Sequence, residues 1–370
     1  MEATRRAHYS EPLLDVPDAS ELSIPGDDLS QEMLPRGVVD AAERRLVDRS
    51  LATVVTFVPP LAFGLVIYLH MRDWMQITWT EIGIYGAMHL LAIGGVELGY
   101  HRLFAHGSYK ANRGVKIALA VCGSFAFQGP VIWWAAVHRK HHRYSDRPSD
   151  PHSLYIKPDG RTEYNKGFIG HLLGFVHSHV GWIWTPDSTR FTGWQTYVRN
   201  LYRDKDLFRI HIYYPYFLAL GFVLPAVAGG LLHGTWKGAL AGFLWGGFVR
   251  VFFTNHLSYW SINTLSHSVG SRPFRTADHS TNSIPALMAV PTLGQSYHNN
   301  HHAFPYSARM AYEWYELDIG RWILSTLRMF GWVWDLGAPT PEALERKRTG
   351  RKAKPPEIVS TTSHTISKPH

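Results

Sequence analysis

The sequence predicts an all-α integral membrane protein. Four transmembrane helices carry a helical cap on the cytoplasmic side, and the cap holds a histidine-rich site for two metal ions. Three observations predict this. Four apolar runs approach the ~20 residues that an α-helix needs to cross a bilayer core. Hydrophobic residues make up 45% of the 370-residue chain and charged residues only 18%, whereas soluble domains usually carry about 25% charged residues. Eight histidines fall in three short words, HRLFAH from His101, HRKHH from His138 and HNNHH from His298.

The elements follow in chain order. Residues 1–45 are polar, with Pro17, Pro25, Asp27, Asp28 and Pro35, and lack the apolar core of a secretory signal. They read as a disordered leader. The nearly uncharged run 51–70 is the first span, and Pro59 and Pro60 inside it predict a kink. Span two is 81–100. It contains His89 and Glu97, and an ionisable group at that depth faces a protein interior or a cavity. Its small residues (Gly83, Gly86, Ala87, Gly94, Gly95) favour close helix packing. Residues 114–134, broken by Lys116, Gln128 and Pro130, read as an interfacial helix, because His106 and His138 then lie on one side of the membrane. Residues 138–208 form a first soluble region. Spans three and four are 210–232 and 236–257, with a short polar link between them, and a second soluble region runs from Asn263 to 338. The chain is basic from Pro339 onward (Lys347, Arg348, Arg351, Lys352, Lys354), and 339–370 read as a disordered tail. One membrane domain therefore occupies 46–338.

Four spans place both termini and both soluble regions on one side. Arg36, Arg44, Arg45 and Arg49 precede span one, whereas the short links on the other side carry one basic residue each, Arg72 and Lys237. By the positive-inside rule the histidine side is cytoplasmic. The bilayer is thus an expected partner, and nucleic acid is not. The single cysteine, Cys122, excludes an internal disulfide and any Cys-rich zinc or iron–sulfur site.

Spacing carries the metal argument. His138, His141 and His142 stand at i, i+3 and i+4, as do His298, His301 and His302, so each triplet shares one helical face. His101 and His106 are five apart, which predicts that the helix of span two ends or bends between them. A fourth word follows span four, where Asn263 and His267 are four apart. Nine histidines and one asparagine are more donors than a single ion accepts, and two ions with open positions would use them all. Zinc sites close with fewer donors, and the HExxH zinc word is absent. A cysteine-free, imidazole-rich set fits a redox pair, iron ahead of copper. Glu97, one turn before His101, and Asp146 and Asp150, beside the second word, are placed to orient imidazoles from behind. His70, His211, His233 and His364 read as surface or membrane-interface residues. His152, His171, His177, His179, His256 and His279 are left without a role.

These words and their flanks resemble the membrane fatty acid desaturases, in the delta-9 acyl-CoA (stearoyl-CoA) desaturase branch, over about residues 50–335. HRLFAHGSYK resembles the family's first histidine box, and AFQGPVIWWAAVHRKHHRYSDRPSDPH its second with flanks. SHVGW (178–182) resembles the loop that follows, WSINTLSH the asparagine–histidine word, and GQSYHNNHHAFPY the third box. The resemblance implies a di-iron centre with His101, His106, His138, His141, His142, Asn263, His267, His298, His301 and His302 as ligands. It implies O2 as co-substrate and a cis double bond, at delta-9, in a saturated acyl chain, with coenzyme A ahead of acyl carrier protein or a lipid as the carrier. It also implies a kinked acyl tunnel shaped by Gln128, Trp134 and Trp260, with Tyr259 where the animal enzymes carry threonine. No GxGxxG follows a strand and no cysteine cluster is present. The electrons are therefore expected from a separate protein of ferredoxin or cytochrome b5 type with its reductase.

Two other readings use the same residues. A hydroxylase or ketolase on this scaffold would return a hydroxyl instead of taking a second hydrogen. A non-enzymatic membrane metal-binding protein or transporter would place its ligands at mid-membrane, whereas these donors lie beyond the span ends.

Overall fold

The computed structural model describes residues 41–185 and 193–349. Met1–Arg44 is a separate unit, and only its last residues, the start of α1, fall within the described part; Arg45–His370 forms the main unit. The leader up to residue 40 lies outside the described residues.

Helix α1 (Ala41–Met71) contains Pro59 and Pro60 without interruption, where the sequence predicts a kink. α2 (Trp79–Gly94) starts at a capping box, in which Thr78 and Glu81 satisfy each other's end groups. At Gly95 it widens into a π-helix, Gly95–Ala105. α3 (Arg113–Ser124) is capped by Asn112, and α4 (Val131–Tyr144) starts directly after Pro130. Both are too short to span a membrane, as the sequence indicates. α5 (Phe168–His179) lies in the stretch read as soluble, yet exposes Phe168, Ile169, Leu172 and Leu173. α6 (Lys205–Ile212) is capped by Asp204. α7 (Tyr214–His233) makes a fresh start because Pro215 sits in its first turn, so the third apolar helix begins four residues later than the periodicity predicts.

The fourth apolar run opens as α8 (Trp236–Gly242) and continues through π-helical Phe243–Val249, Arg250–Phe252 and π-helical Phe253–Tyr259 into α9 (Trp260–Leu265). α10 (His298–Ala303), α11 (Ile319–Met329) and α12 (Pro341–Lys347) follow. Among the described residues, three helices are long and apolar enough to cross a membrane: Leu46–Met71, Trp79–Ala105 and Tyr214–His233. The fourth run differs because Arg250 sits inside it, fully buried. Its guanidinium donates to the carbonyls of Gly246 (2.9 Å), Gly221 (3.2 Å) and Phe125. These bonds replace the water that a buried charge would otherwise lose.

Glycines bring the backbones into contact. A Cβ on Gly242 would lie 2.0 Å from the Pro225 carbonyl, and one on Gly95 would lie 2.0 Å from the Gly123 nitrogen. Under the histidines, Ile93, Val96, Tyr100, Ala120, Ile132, Ala136 and Val251 pack into one buried cluster. This core holds the π segment, α3, α4 and the fourth run against one another. Lys110–Ala111 pairs antiparallel with Val333–Trp334, tying the segment after α11 to the end of the π-helix.

The tail departs from expectation. α12 is capped by Thr340, Lys347 Nζ donates to the Ala303 carbonyl (2.6 Å), and Arg348 pairs with Glu313 (2.7 Å). Residues 339–349 are therefore part of the cap rather than disordered, because these cations find carbonyls and a carboxylate there. Residues 350–370 lie outside the described part.

Candidate metal centre

The histidine words meet in two groups. The first contains His101, His106, His138, His142 and His301; the second contains His141, His267, His298 and His302. Within each group the candidate donor atoms lie within 4.8 Å of one another. The triplets do not each serve one group. In α4 the i, i+4 pair His138 and His142 joins the first group and His141 the second. In α10 the i, i+4 pair His298 and His302 joins the second and His301 the first. An i+3 ring points to one side of the i, i+4 stripe, so two facing helices exchange one ring each. The groups abut, with the His142 and His302 rings stacked at 4.3 Å.

The π segment brings in His101 and His106. Residues five apart diverge on an α-helix, but π winding bonds i to i+5, and the His106 N–H donates to the His101 carbonyl (3.1 Å). The helix of span two therefore widens rather than ends between them. Their rings lie 4.9 Å apart. Asn263 sits on α9 one turn before His267, and its carbonyl accepts from Ser178 Oγ (3.0 Å).

The donor atoms converge. Nε2 of His101 lies 3.0 Å from that of His301, His106 Nε2 lies 2.8 Å from that of His138, His142 Nε2 lies 2.8 Å from that of His301, and His267 Nε2 lies 3.1 Å from that of His298. An imidazole nitrogen sits about 2.1 Å from a divalent ion, so two at right angles on one ion are about 3 Å apart. Nε2 of His141 and of His302 are buried without any hydrogen-bond partner. Buried polar atoms rarely stay unpaired, and these are aimed into the second group. Both observations fit a metal in each group.

Carboxylates hold the opposite nitrogens. Glu97 meets His101 Nδ1 (3.0 Å), Asp150 meets His141 Nδ1 (3.0 Å), Asp146 meets His267 Nδ1 (2.8 Å) and Asp278 meets His302 Nδ1 (2.6 Å). Each keeps the proton on Nδ1 and leaves the Nε2 lone pair facing inward. All three carboxylates singled out in the sequence bond a histidine, although Asp146 serves His267, far away in the chain. Glu97 is itself clamped by Arg102 (2.9 Å), which also bonds Asp318 (3.2 Å).

The family model for fatty acid desaturases matches residues 77–338, which include every one of these histidines.

The chain belongs to the fatty acid desaturase family.

It is an oxidoreductase of lipid metabolism, in the branch that includes delta-9 desaturases. A hex-5-enoyl-[acyl-carrier protein] acetylenase of Moorena producens is 40% identical over 74% of this chain and 82% of its own length. The sn-1 stearoyl-lipid 9-desaturase of Anabaena variabilis is 33% identical, over 69% of this chain and 84% of its own. A probable acyl-CoA desaturase of Schizosaccharomyces pombe is 31% identical over 70% of this chain and 50% of its own length.

In this desaturase-family chain the electrostatics favour neutral ligands. Burial, followed by repulsion among neighbouring imidazoles, holds His106, His138, His142, His298 and His301 well below the usual histidine value. Burial pushes His267 down, but Asp146, with Asp278 and Asp150, more than offsets it and its value lies above the usual one. Burial raises Asp146 as well, but His267 and the His279 amide bring it down to about 2.

The residues expected around an acyl tunnel divide. Trp134 stacks on His138 (4.9 Å) and donates to Gln128 (3.0 Å), which donates to Asn255 (3.0 Å). Tyr259 meets Trp134 edge-on (6.4 Å) and reaches toward Glu97 (3.4 Å). Trp260 packs against other partners, His256 (4.5 Å) and His179 (6.2 Å), in the same buried cluster as Trp134 and Tyr259. His89 is structural, bonded to Thr254 (3.1 Å) and the Pro291 carbonyl (3.2 Å). Sequence reasoning missed Asp278, Arg102 and Asp318. None stands at a helical spacing from a matching partner, so no periodic signal marks them. It also left His152 unassigned, and this ring lies tilted against His141 at 4.2 Å.

Proposed function

We propose that this protein is an O2-dependent di-iron desaturase that places a cis double bond at delta-9 of a saturated fatty acyl chain carried on coenzyme A. The interlocked pair of histidine groups, with Nε2 atoms converging and Nδ1 atoms held by carboxylates, carries this reading. His101, His106, His138, His142 and His301 hold one iron. His141, His267, His298 and His302 hold the other, with the Asn263 amide as a fifth donor. When bound, the iron pair supplies the oxidising power for aliphatic C–H removal, which no side chain possesses.

The chain's own residues do the rest. Glu97, Asp146, Asp150 and Asp278 fix the tautomers. Gln128, Trp134, Tyr259 and Trp260 shape the route of the acyl chain, so that the chosen methylenes lie beside the centre and positioning selects the bond. The overall change is balanced: R–CH2–CH2–R′, O2, two electrons and two protons give R–CH=CH–R′ and two waters. A separate one-electron carrier, of ferredoxin or cytochrome b5 type, supplies the electrons. Four spans, the fourth running from Trp236, put both termini and the metal centre on the cytoplasmic side.

Expression in a desaturase-deficient host tests this, with gas chromatography of the fatty acids and derivatisation to locate double bonds. A new monounsaturated chain is the expected product. Hydroxylated or keto chains in its place would overturn the desaturase reading. The Moorena producens relative favours a second reading, in which an existing double bond is taken on to a triple bond. Feeding monounsaturated chains and finding alkynes would select it.

A further inference from the structure

One short loop links the surface to the second histidine group along two routes. Asp278 Oδ2 lies 2.6 Å from His302 Nδ1. Next to it, the His279 backbone N–H donates to Asp146 Oδ2 (2.8 Å), and the same oxygen meets His267 Nδ1 (2.8 Å). Ala277 and His279, on either side of Asp278, are exposed. Two rings of one metal group are thus one hydrogen bond or two from solvent-facing backbone. The first group has no equivalent at its carboxylate, since Glu97 is fully buried against Arg102.

Cations ring the same loop. Arg147 reaches the Ala277 carbonyl (3.4 Å), and Arg272 bonds Thr276 Oγ1 (2.9 Å) and the Asp278 carbonyl. Arg275 bonds the Arg346 carbonyl (3.2 Å), and its N–H donates to the Lys347 carbonyl (2.7 Å). The carboxylates of Glu313 and Glu345 bond Arg348, and those of Asp146 and Asp278 bond histidines. Arg147 and Arg275 are exposed and bond carbonyl oxygens, so their charge is open to a partner.

We infer that the loop Thr276–His279 and its arginine rim are the docking surface for an acidic one-electron carrier protein, and that electrons enter at the second histidine group. This rests on the proposed desaturase function, which needs two electrons per double bond. Electron transfer falls off steeply with distance and runs better through bonds than across gaps, and a carrier seated here is one or two hydrogen bonds from rings of the second group. Opposite charge on the partner speeds encounter and fixes orientation. Each docking delivers one electron and releases one oxidised carrier. Two dockings, with the two electrons taken from the C–H bonds, reduce one O2 to two waters.

The test uses the purified full-length protein in detergent and a plant-type [2Fe–2S] ferredoxin as the acidic probe. Binding is measured on metal-free and iron-loaded protein at low and high salt, and reduction of the iron is followed by rapid mixing. Arg147→Glu with Arg275→Glu should raise the ferredoxin Kd at least ~10-fold at low salt. It should slow reduction at limiting ferredoxin in the same proportion and leave the rate at saturation unchanged. Arg147→Lys with Arg275→Lys should keep most of the affinity. Wild-type binding should weaken as salt screens the pair. Equal ferredoxin binding and reduction in wild type and the Glu variant would overturn the inference. So would retained ferredoxin binding with lost binding of phosphatidylserine vesicles or coenzyme A, which would make the rim a lipid or phosphate contact. If the wild type accepts electrons but forms no unsaturated product, the proposed function fails and the docking surface stands. If product forms and the Glu variant keeps the wild-type KM for ferredoxin, the docking surface fails alone.

Discussion

At the scale of single residues, the site depends on one division of labour: Nε2 faces inward and a carboxylate holds Nδ1. Asp278→Asn keeps the shape and removes the charge behind His302, so iron retention under chelator challenge should fall ~10–100-fold, measured by metal analysis of the purified protein. His141→Ala removes an inward donor and should abolish product while membrane insertion, followed by fractionation, is unchanged. Acid should act in the same direction. His106, His138, His142, His298 and His301 have folded values below the usual one, so the unfolded chain binds more protons as pH falls. Stability present above about pH 6.5 is then lost on acidification below it. Asp146 and Asp278, depressed in the fold, add a second loss below their usual range. The melting temperature of metal-free protein should change little from pH 7.5 to about 6.5 and drop from there to pH 5.5 on calorimetry. The histidines of this site were legible because helical spacing repeats. Asp278 was not, since its loop has no period and meets His302 only in three dimensions.

At the scale of elements, winding and close packing aim the rings. The π segment Gly95–Ala105 turns a five-residue spacing into a shared face, which the sequence could register only as a misfit of α periodicity. The α7–α8 hairpin depends on bare backbone contact at Gly242, where a Cβ would meet the Pro225 carbonyl at 2.0 Å. Gly242→Val should cost about 1–3 kcal/mol, read as a lower melting temperature in detergent, with further loss of iron because the fourth run carries His267. Pro215 moved the start of α7, and Thr340 with Lys347 built α12 into the cap. These local signals were present in the chain, but their partners, Ala303 for Lys347 among them, lie elsewhere in the sequence.

At the scale of the whole molecule, three helices are long and apolar enough to span a membrane, and the proposed four-span topology, with both ends and the metal centre on one side, is open to a direct test. In a Cys122→Ser background, a membrane-impermeant maleimide should label Asp73→Cys in intact cells and label Ala277→Cys only after the membrane is opened. The reverse pattern would invert the topology, and labelling of both would remove a span. The chain by itself determined the helical class, the long apolar runs and nine histidines with the right neighbours, because those properties are written in local composition and period. Only the tertiary structure decided how α4 and α10 exchange rings, which carboxylate stands behind which imidazole, and how Arg250 is satisfied inside an apolar run. Those are contacts between residues as many as two hundred positions apart, such as His101 with His301. They exist only once the glycine-lined core has brought the helices together.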